Sequence, residues 1–131
     1  MSPSLYLLDT SVCVPVLREK ATFRELPAPD QTFFSSIVAA ELWTGAWKSG
    51  QEHPQFGRVT EFLRLFEILD FSRTAAEHYG QIRAELEKSG ISIGPIDLLI
   101  AAHARSLGAT IITANVREFR RVRGLKVLAW K

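Results

Sequence analysis

Asp9, Glu41 and Asp97 are the side chains of this 131-residue chain best suited to chemistry. Asp9 ends the apolar run LYLL and is followed at once by Thr10 and Ser11. Glu41 lies inside IVAAELWTGAWKSG between Ala40 and Leu42, and Asp97 follows Gly94-Pro95. A fourth position comes after the apolar ATIIT, where Thr113, Asn115 and Glu118 stand in TANVREF. Carboxylates crowded together repel and resist ionisation. A cluster of them persists most naturally around a divalent cation, and all-oxygen ligands suit Mg²⁺, with Mn²⁺ as a substitute. A Mg²⁺ held by Asp9, Glu41 and Asp97 could activate water and stabilise charge in phosphodiester cleavage.

Each acid also has a plainer reading when taken alone. Asp9 could cap the next helix. Asp97, near the third helical position, would suit the helix dipole. Glu41 shares a stripe with Thr44 and Lys48 that could be a solvated face. Asn115 and Glu118 could cap and begin a short helix. Their joint placement decides between the readings, because independent caps have no reason to share one edge.

That placement depends on the elements. Leu5–Leu8 reads as a buried strand. Ser11 could cap a short helix from Val12 to about Glu19, with Pro15 tolerated only near its first turn. Thr32–Ser36 reads as a second strand ending in a cap, and the Glu41 helix follows, stopped by Gly50. Pro54 opens a helix to about Phe66, with Phe62, Leu65 and Phe66 on one face. EILDF is a third strand, and Ser72 caps a long helix ending at Gly90. Pro95 starts a helix to about Leu107, closed by Gly108; ATIIT and KVLAW are the fourth and fifth strands. Strands alternating with helices predict an α/β fold: a three-layer arrangement with a central parallel sheet of four to five strands flanked by helices. In such a sheet the ligand lies outside the carboxyl ends of the strands. Asp9 ends the first strand, and Glu41 sits roughly 7 Å along a helix that starts at that edge. Asp97 opens a helix antiparallel to ATIIT, so all three acids should meet there.

Composition sets outer limits. Hydrophobic residues make up 47% and charged residues 23%, as in an ordinary globular domain. The length fits one domain over residues 1–131. No stretch has the features of a signal peptide or a membrane span. Cys13 is the single cysteine, which excludes an internal disulfide and favours a reducing, cytoplasmic location. His53, His78 and His103 are scattered and make no zinc spacing. The net charge of +2 permits an anionic partner without demonstrating one.

LDTSV, SSIVAAELWTGA, GQIRAELEKSGISIGPIDLLIAAHA and ITANVREF followed by GLKVLAW resemble the motifs of the PIN-domain ribonucleases, specifically the VapC-type toxins of type II toxin–antitoxin systems. The resemblance covers nearly the whole chain and implies a PIN-like fold. It implies a Mg²⁺-dependent endoribonuclease that cleaves RNA, with tRNA or rRNA as the substrate class, and that is inhibited by a cognate VapB-type antitoxin. A homodimer, and higher toxin–antitoxin assemblies, are implied as well. Carried over, Asp9, Glu41 and Asp97 match the family's acidic, Mg²⁺-associated positions, and Thr10 or Ser11 its supporting hydroxyl. Asn115 departs from the pattern, since many members have an acid there; Glu118 could take its place through water.

Arg117, Arg120 and Arg121, near the same edge, could bind RNA phosphates or form a solvated basic tail. Trp43, Trp47 and the Phe62–Phe66 face could be core, a dimer surface or a groove for an antitoxin helix. His103, in register with Ile96, Leu99 and Ile100, reads as a packed core histidine or as one that supports the site, and not as a ligand. A catalytically weak PIN-like binding or regulatory module is the competing function, and Asn115 is its best support. Two other acidic-pocket folds fit poorly. A haloacid-dehalogenase-type phosphatase needs a second Asp where Ser11 stands, and a response-regulator receiver needs a pocket lysine where the chain offers only Lys131.

Overall fold

The computed structural model describes residues 5–17 and 26–130. Its elements run β1 (Tyr6–Leu8), α1 (Thr10–Leu17), β2 (Thr32–Ser35), α2 (Ser36–Ser49), α3 (Pro54–Leu65), β3 (Glu67–Leu69), α4 (Arg73–Lys88), α5 (Pro95–Ser106), β4 (Thr110–Thr113), α6 (Val116–Phe119) and β5 (Lys126–Ala129). Among the described residues the sheet has five strands in the order β3-β2-β1-β4-β5, and every pairing is parallel. The α/β fold expected from the alternation is therefore present. β1 is central because Leu7 and Leu8 are fully buried and accept neighbours on both sides. The outer strands are less covered: Ile68 of β3 and Leu128 of β5 remain exposed.

The helix boundaries follow local chemistry. The Ser35 hydroxyl accepts from the Ile37 N–H and starts α2, and Gly50, at φ 95°, ends it. The Ser72 hydroxyl accepts from the Ala75 N–H at the start of α4. Pro54 and Pro95 occupy the first helical positions of α3 and α5, where a missing N–H costs nothing.

Three expectations are corrected. α1 begins at Thr10, not after Ser11, because the Asp9 carbonyl already accepts from the Val12 N–H at 3.0 Å. Pro15 is then the sixth residue of the helix, beyond the first turn, and one backbone hydrogen bond is missing there. The expected end at Glu19 lies outside the described residues. Leu65 does not share the buried face with Phe62 and Phe66: it is 51% exposed, while those rings pack on each other and on Phe34 with centroids 5.0–5.4 Å apart. In α5, Ile96 is exposed although Ile100 and His103, on the same stripe, are buried.

His103 packs edge-on against Phe71, and its Nδ1 lies 2.8 Å from the Ser35 hydroxyl. Burial pushes the imidazole pKa down, which keeps the ring neutral, so Ser35 can cap α2 and still pair with His103. Ser35→Ala removes the cap and strands the buried imidazole. It should destabilise the fold by about 2 kcal/mol, measured as a fall in the urea midpoint at unchanged slope.

Candidate active site

The carboxyl edge of β1 and β4 is where the side chains converge. Leu8 pairs with Ile112, and the Asp9 N–H donates to the Ile112 carbonyl at 3.0 Å, so Asp9 and Thr113 leave the sheet side by side. Asp9 is 4% exposed. A carboxylate buried that deeply needs partners. The hydroxyls of Ser11 and Thr113 donate to its Oδ2 at 2.7 and 2.8 Å. Ser11 also accepts from the Ala114 N–H and Thr113 from the Asn115 N–H, which locks the chain leaving β4 onto the start of α1.

Glu41 is the sixth residue of α2 and reaches α1, where the Thr10 hydroxyl donates to its Oε1 at 2.5 Å. Both Thr10 and Ser11 therefore support the site, one on Glu41 and the other on Asp9. Asp97 is the third residue of α5 and half-buried. Glu118, in α6, accepts from the Gly94 N–H through Oε1 and from the Asn115 side-chain amide through Oε2, each at 2.5 Å. Asn115 thus holds Glu118 in place, and Glu118 in turn meets Asp97, whose carboxyl hydrogen-bonds it.

The electrostatics reflect that crowding. The Asp97 pKa is pushed up to about 7, first by burial, then by the hydrogen bond to Glu118, then by the negative charges of Asp9, Glu118 and Glu41. Glu118 is held below the usual carboxylate range, mainly by the Gly94 N–H, with help from Asn115, Asp97 and the Arg121 charge. Below about pH 7 one proton is therefore kept in the cluster, on Asp97, and shared with Glu118.

The acids act on one another, yet among the described residues no three His, Cys, Asp or Glu side chains are gathered tightly enough to hold an ion as they stand. Hydroxyls and a shared proton now occupy several of the oxygens. The donor set itself fits a hard divalent cation: it has only oxygens, with excess negative charge that Asp97 relieves by taking up a proton. Cys13 lies next to the cluster, but its thiol is buried, and burial and Asp9 raise its pKa, so it stays protonated.

Of the basic residues, Arg117 and Arg120 are exposed beside Glu118, while Arg121 donates to the Ser92 carbonyl at 2.7 Å and braces the loop before α5. Trp43 is partly buried against Phe56, and Trp47, on the same ring, is 58% exposed. The Gly94 N–H on Glu118 is the one site contact that sequence reasoning missed entirely; a backbone donor leaves no signal in side-chain identities. Ser35 and His103 were each recognisable, but not their pairing across 68 residues.

A parallel sheet with a carboxyl cluster at its carboxyl edge defines an acid-site α/β domain, and the chain belongs to the PIN domain family, whose model matches residues 6–125. Among that family's members it is of the VapC ribonuclease type. It is 41% identical over 128 residues to the tRNA(fMet)-specific endonuclease VapC of Shigella flexneri, covering 95% of this chain and 97% of that one. It is 40% identical over 131 residues to ribonuclease VapC2 of Rickettsia felis, covering 96% and 98%. The structure superposes on DNA-bound VapBC from Salmonella typhimurium with a TM-score of 0.91 at 36% identity, covering 98% and 100% of the two chains.

Proposed function

We propose that this chain is a metal-dependent endoribonuclease toxin, that tRNA is its substrate and that a cognate VapB-type antitoxin holds it in check. The observation that carries the reading is the convergence of Asp9, Glu41, Asp97 and Glu118 on one edge, where burial, then the hydrogen bond to Glu118, then the neighbouring carboxylates raise the Asp97 pKa to about 7. Asp9, Glu41 and Asp97 would hold Mg²⁺ or Mn²⁺, which when bound supplies an activated water and stabilises developing phosphate charge. Ser11 and Thr113 fix one oxygen of Asp9 and Thr10 fixes one of Glu41, which leaves the other oxygen of each outside these bonds. Glu118 positions Asp97 and accepts its proton bond. Exposed Arg117 and Arg120 bind backbone phosphates beside the cut.

tRNA is favoured because the relative from Shigella flexneri bears the name of a tRNA endonuclease. The antitoxin is favoured because superposing structures are VapBC complexes. Its candidate seat is a groove of about 610 Å³ between α1 and α3, whose lining includes Val16, Leu17, Pro54, Phe62 and Leu65. A homodimer and a cytoplasmic site of action complete the proposal. Among the described residues no helix is long and apolar enough to cross a membrane.

The test is to incubate the purified, antitoxin-free chain with total RNA and sequence the new ends. A nuclease yields a few discrete sites, expected in tRNA. Retained RNA with no new ends would establish the binding module instead.

A further inference from the structure

A second cleft shares Leu17 and Arg58 with the groove between α1 and α3 and reaches the carboxyl cluster at Glu41. It has a volume of about 470 Å³, and Thr10 and Glu41 form one end of its lining. Glu41, Gly45 and Ser49 follow at four-residue intervals along one face of α2, so the cleft extends about 12 Å from Glu41. At the far end stand His53, Gln55 and Arg58, from the beginning of α3. The His53 Nδ1 accepts from the Gln55 N–H at 3.0 Å, so a neutral ring carries its proton on Nε2 and is a donor there.

The lining thus pairs one carboxylate, next to the reacting centre, with a guanidinium, an imidazole donor, an amide and a hydroxyl further out, and with the apolar side chains of Val14, Leu17, Leu42 and Val59. That sequence of groups suits a polyanion whose scissile phosphate lies at Glu41 and whose next nucleotide runs outward. Val14, Leu17, Leu42 and Val59 give a sugar and base an apolar wall to pack on, while the polar groups at the far end suit a phosphate. Gly45 adds a steric argument. A Cβ built there meets no heavy atom within 4 Å, so the middle of the cleft is open because this helical position has no side chain. Glycine inside a helix is otherwise unfavourable.

We propose that this cleft between α2 and α3 is the subsite for the nucleotide flanking the cut, with His53 and Arg58 contacting its phosphate and Gly45 leaving room for its sugar and base. The proposal rests on the ribonuclease reading for its substrate class. Its test fills the cleft without touching the carboxyls. Gly45→Phe, and Gly45→Leu as a smaller step, project into open space. Gly80→Phe, on α4 outside every site described, is the matched control, since a Cβ there also meets nothing within 4 Å. Gly45→Phe should raise the KM for tRNA about tenfold, Gly45→Leu less, with kcat within about twofold of the parent. Mn²⁺ affinity should stay unchanged, and Gly80→Phe should match the parent throughout.

Fluorescence anisotropy of a short fluorescein-labelled single-stranded RNA, in EDTA, should show the same graded loss of affinity. This second readout keeps the two readings apart. If the parent cuts no RNA, the ribonuclease reading fails, yet loss of RNA binding in Gly45→Phe alone still supports the cleft. Equal RNA binding by parent and Gly45→Phe, no RNA binding by the parent, or a Gly45→Phe defect confined to antitoxin binding would each overturn it.

Discussion

Asp9→Asn should reduce RNA cleavage by at least about 10³-fold while leaving the fold intact, a loss of about 4 kcal/mol of transition-state stabilisation. The two halves of that expectation have different origins. The fold survives because asparagine is nearly isosteric, and its carbonyl oxygen can accept the same hydroxyls, Ser11 and Thr113, that now hold Oδ2. Activity should be lost because the buried negative charge that would draw a cation to the end of β1 is gone, and an amide is a weaker ligand than a carboxylate. Glu118→Ala should cost less, because Glu118 acts on Asp97 and is tied up by Gly94 and Asn115. Initial rates on tRNA and a melting curve for each variant would check both parts. An Asp9→Asn protein that cuts at the parent rate would remove Asp9 from the mechanism.

Chelation should give the second large effect: EDTA abolishes cleavage, and returning Mg²⁺ or Mn²⁺ restores it with a proton-linked affinity. Asp97 retains its proton to about pH 7, against a usual value of 3.8. A cation has to displace that proton, so affinity should rise from pH 5.5 to 8 by up to about tenfold per pH unit at the acidic end and level off above 7. Calorimetry in buffers of different ionisation enthalpy should show up to about one proton released per ion at pH 6. For the metal-free fold the sign is opposite. The raised pKa means that the folded chain binds this proton more tightly than the unfolded one does. Its stabilising effect is fully present below about pH 4 and is lost as pH rises through 7. The size is about 1–2 kcal/mol, reduced because Asp97 is half-exposed and screened by water. Asp97→Asn should flatten that dependence and abolish cleavage. Full activity in EDTA, or metal binding indifferent to pH, would contradict this account of the pocket.

Much of this arrangement was legible from the sequence because it follows from short-range rules. Ser72, Pro54, Pro95 and Gly50 mark helix ends through local hydrogen bonding and allowed φ, and the runs LYLL and ATIIT announce buried parallel strands. Topology then fixes the edge at which Asp9, Glu41 and Asp97 must meet, which is why three acids far apart in the chain could be grouped without a structure. Long-range pairing was not legible. Nothing local distinguishes Leu65, which faces outward, from Phe62 and Phe66, which face in. Only the path of α3 over β2 and β3 decides it. The start of α1 was misplaced because Ser11 has the chemistry of a cap. Its hydroxyl is engaged instead by Asp9, and its partner Thr113 lies 102 residues away.

That separation bears on how the protein is made. β1 acquires one neighbour, β2, once residue 35 has been synthesised, but its other neighbour, β4, is complete only at Thr113. Thr113, whose hydroxyl steadies Asp9, is the last residue of β4, and Glu118, which steadies Asp97, lies in α6, so among the described elements only β5 is made later. Ribosomes add residues vectorially, and contacts of such long range form only after both partners have emerged. The nascent chain therefore carries Asp9 and Asp97 without these partners until residues 113–118 have emerged.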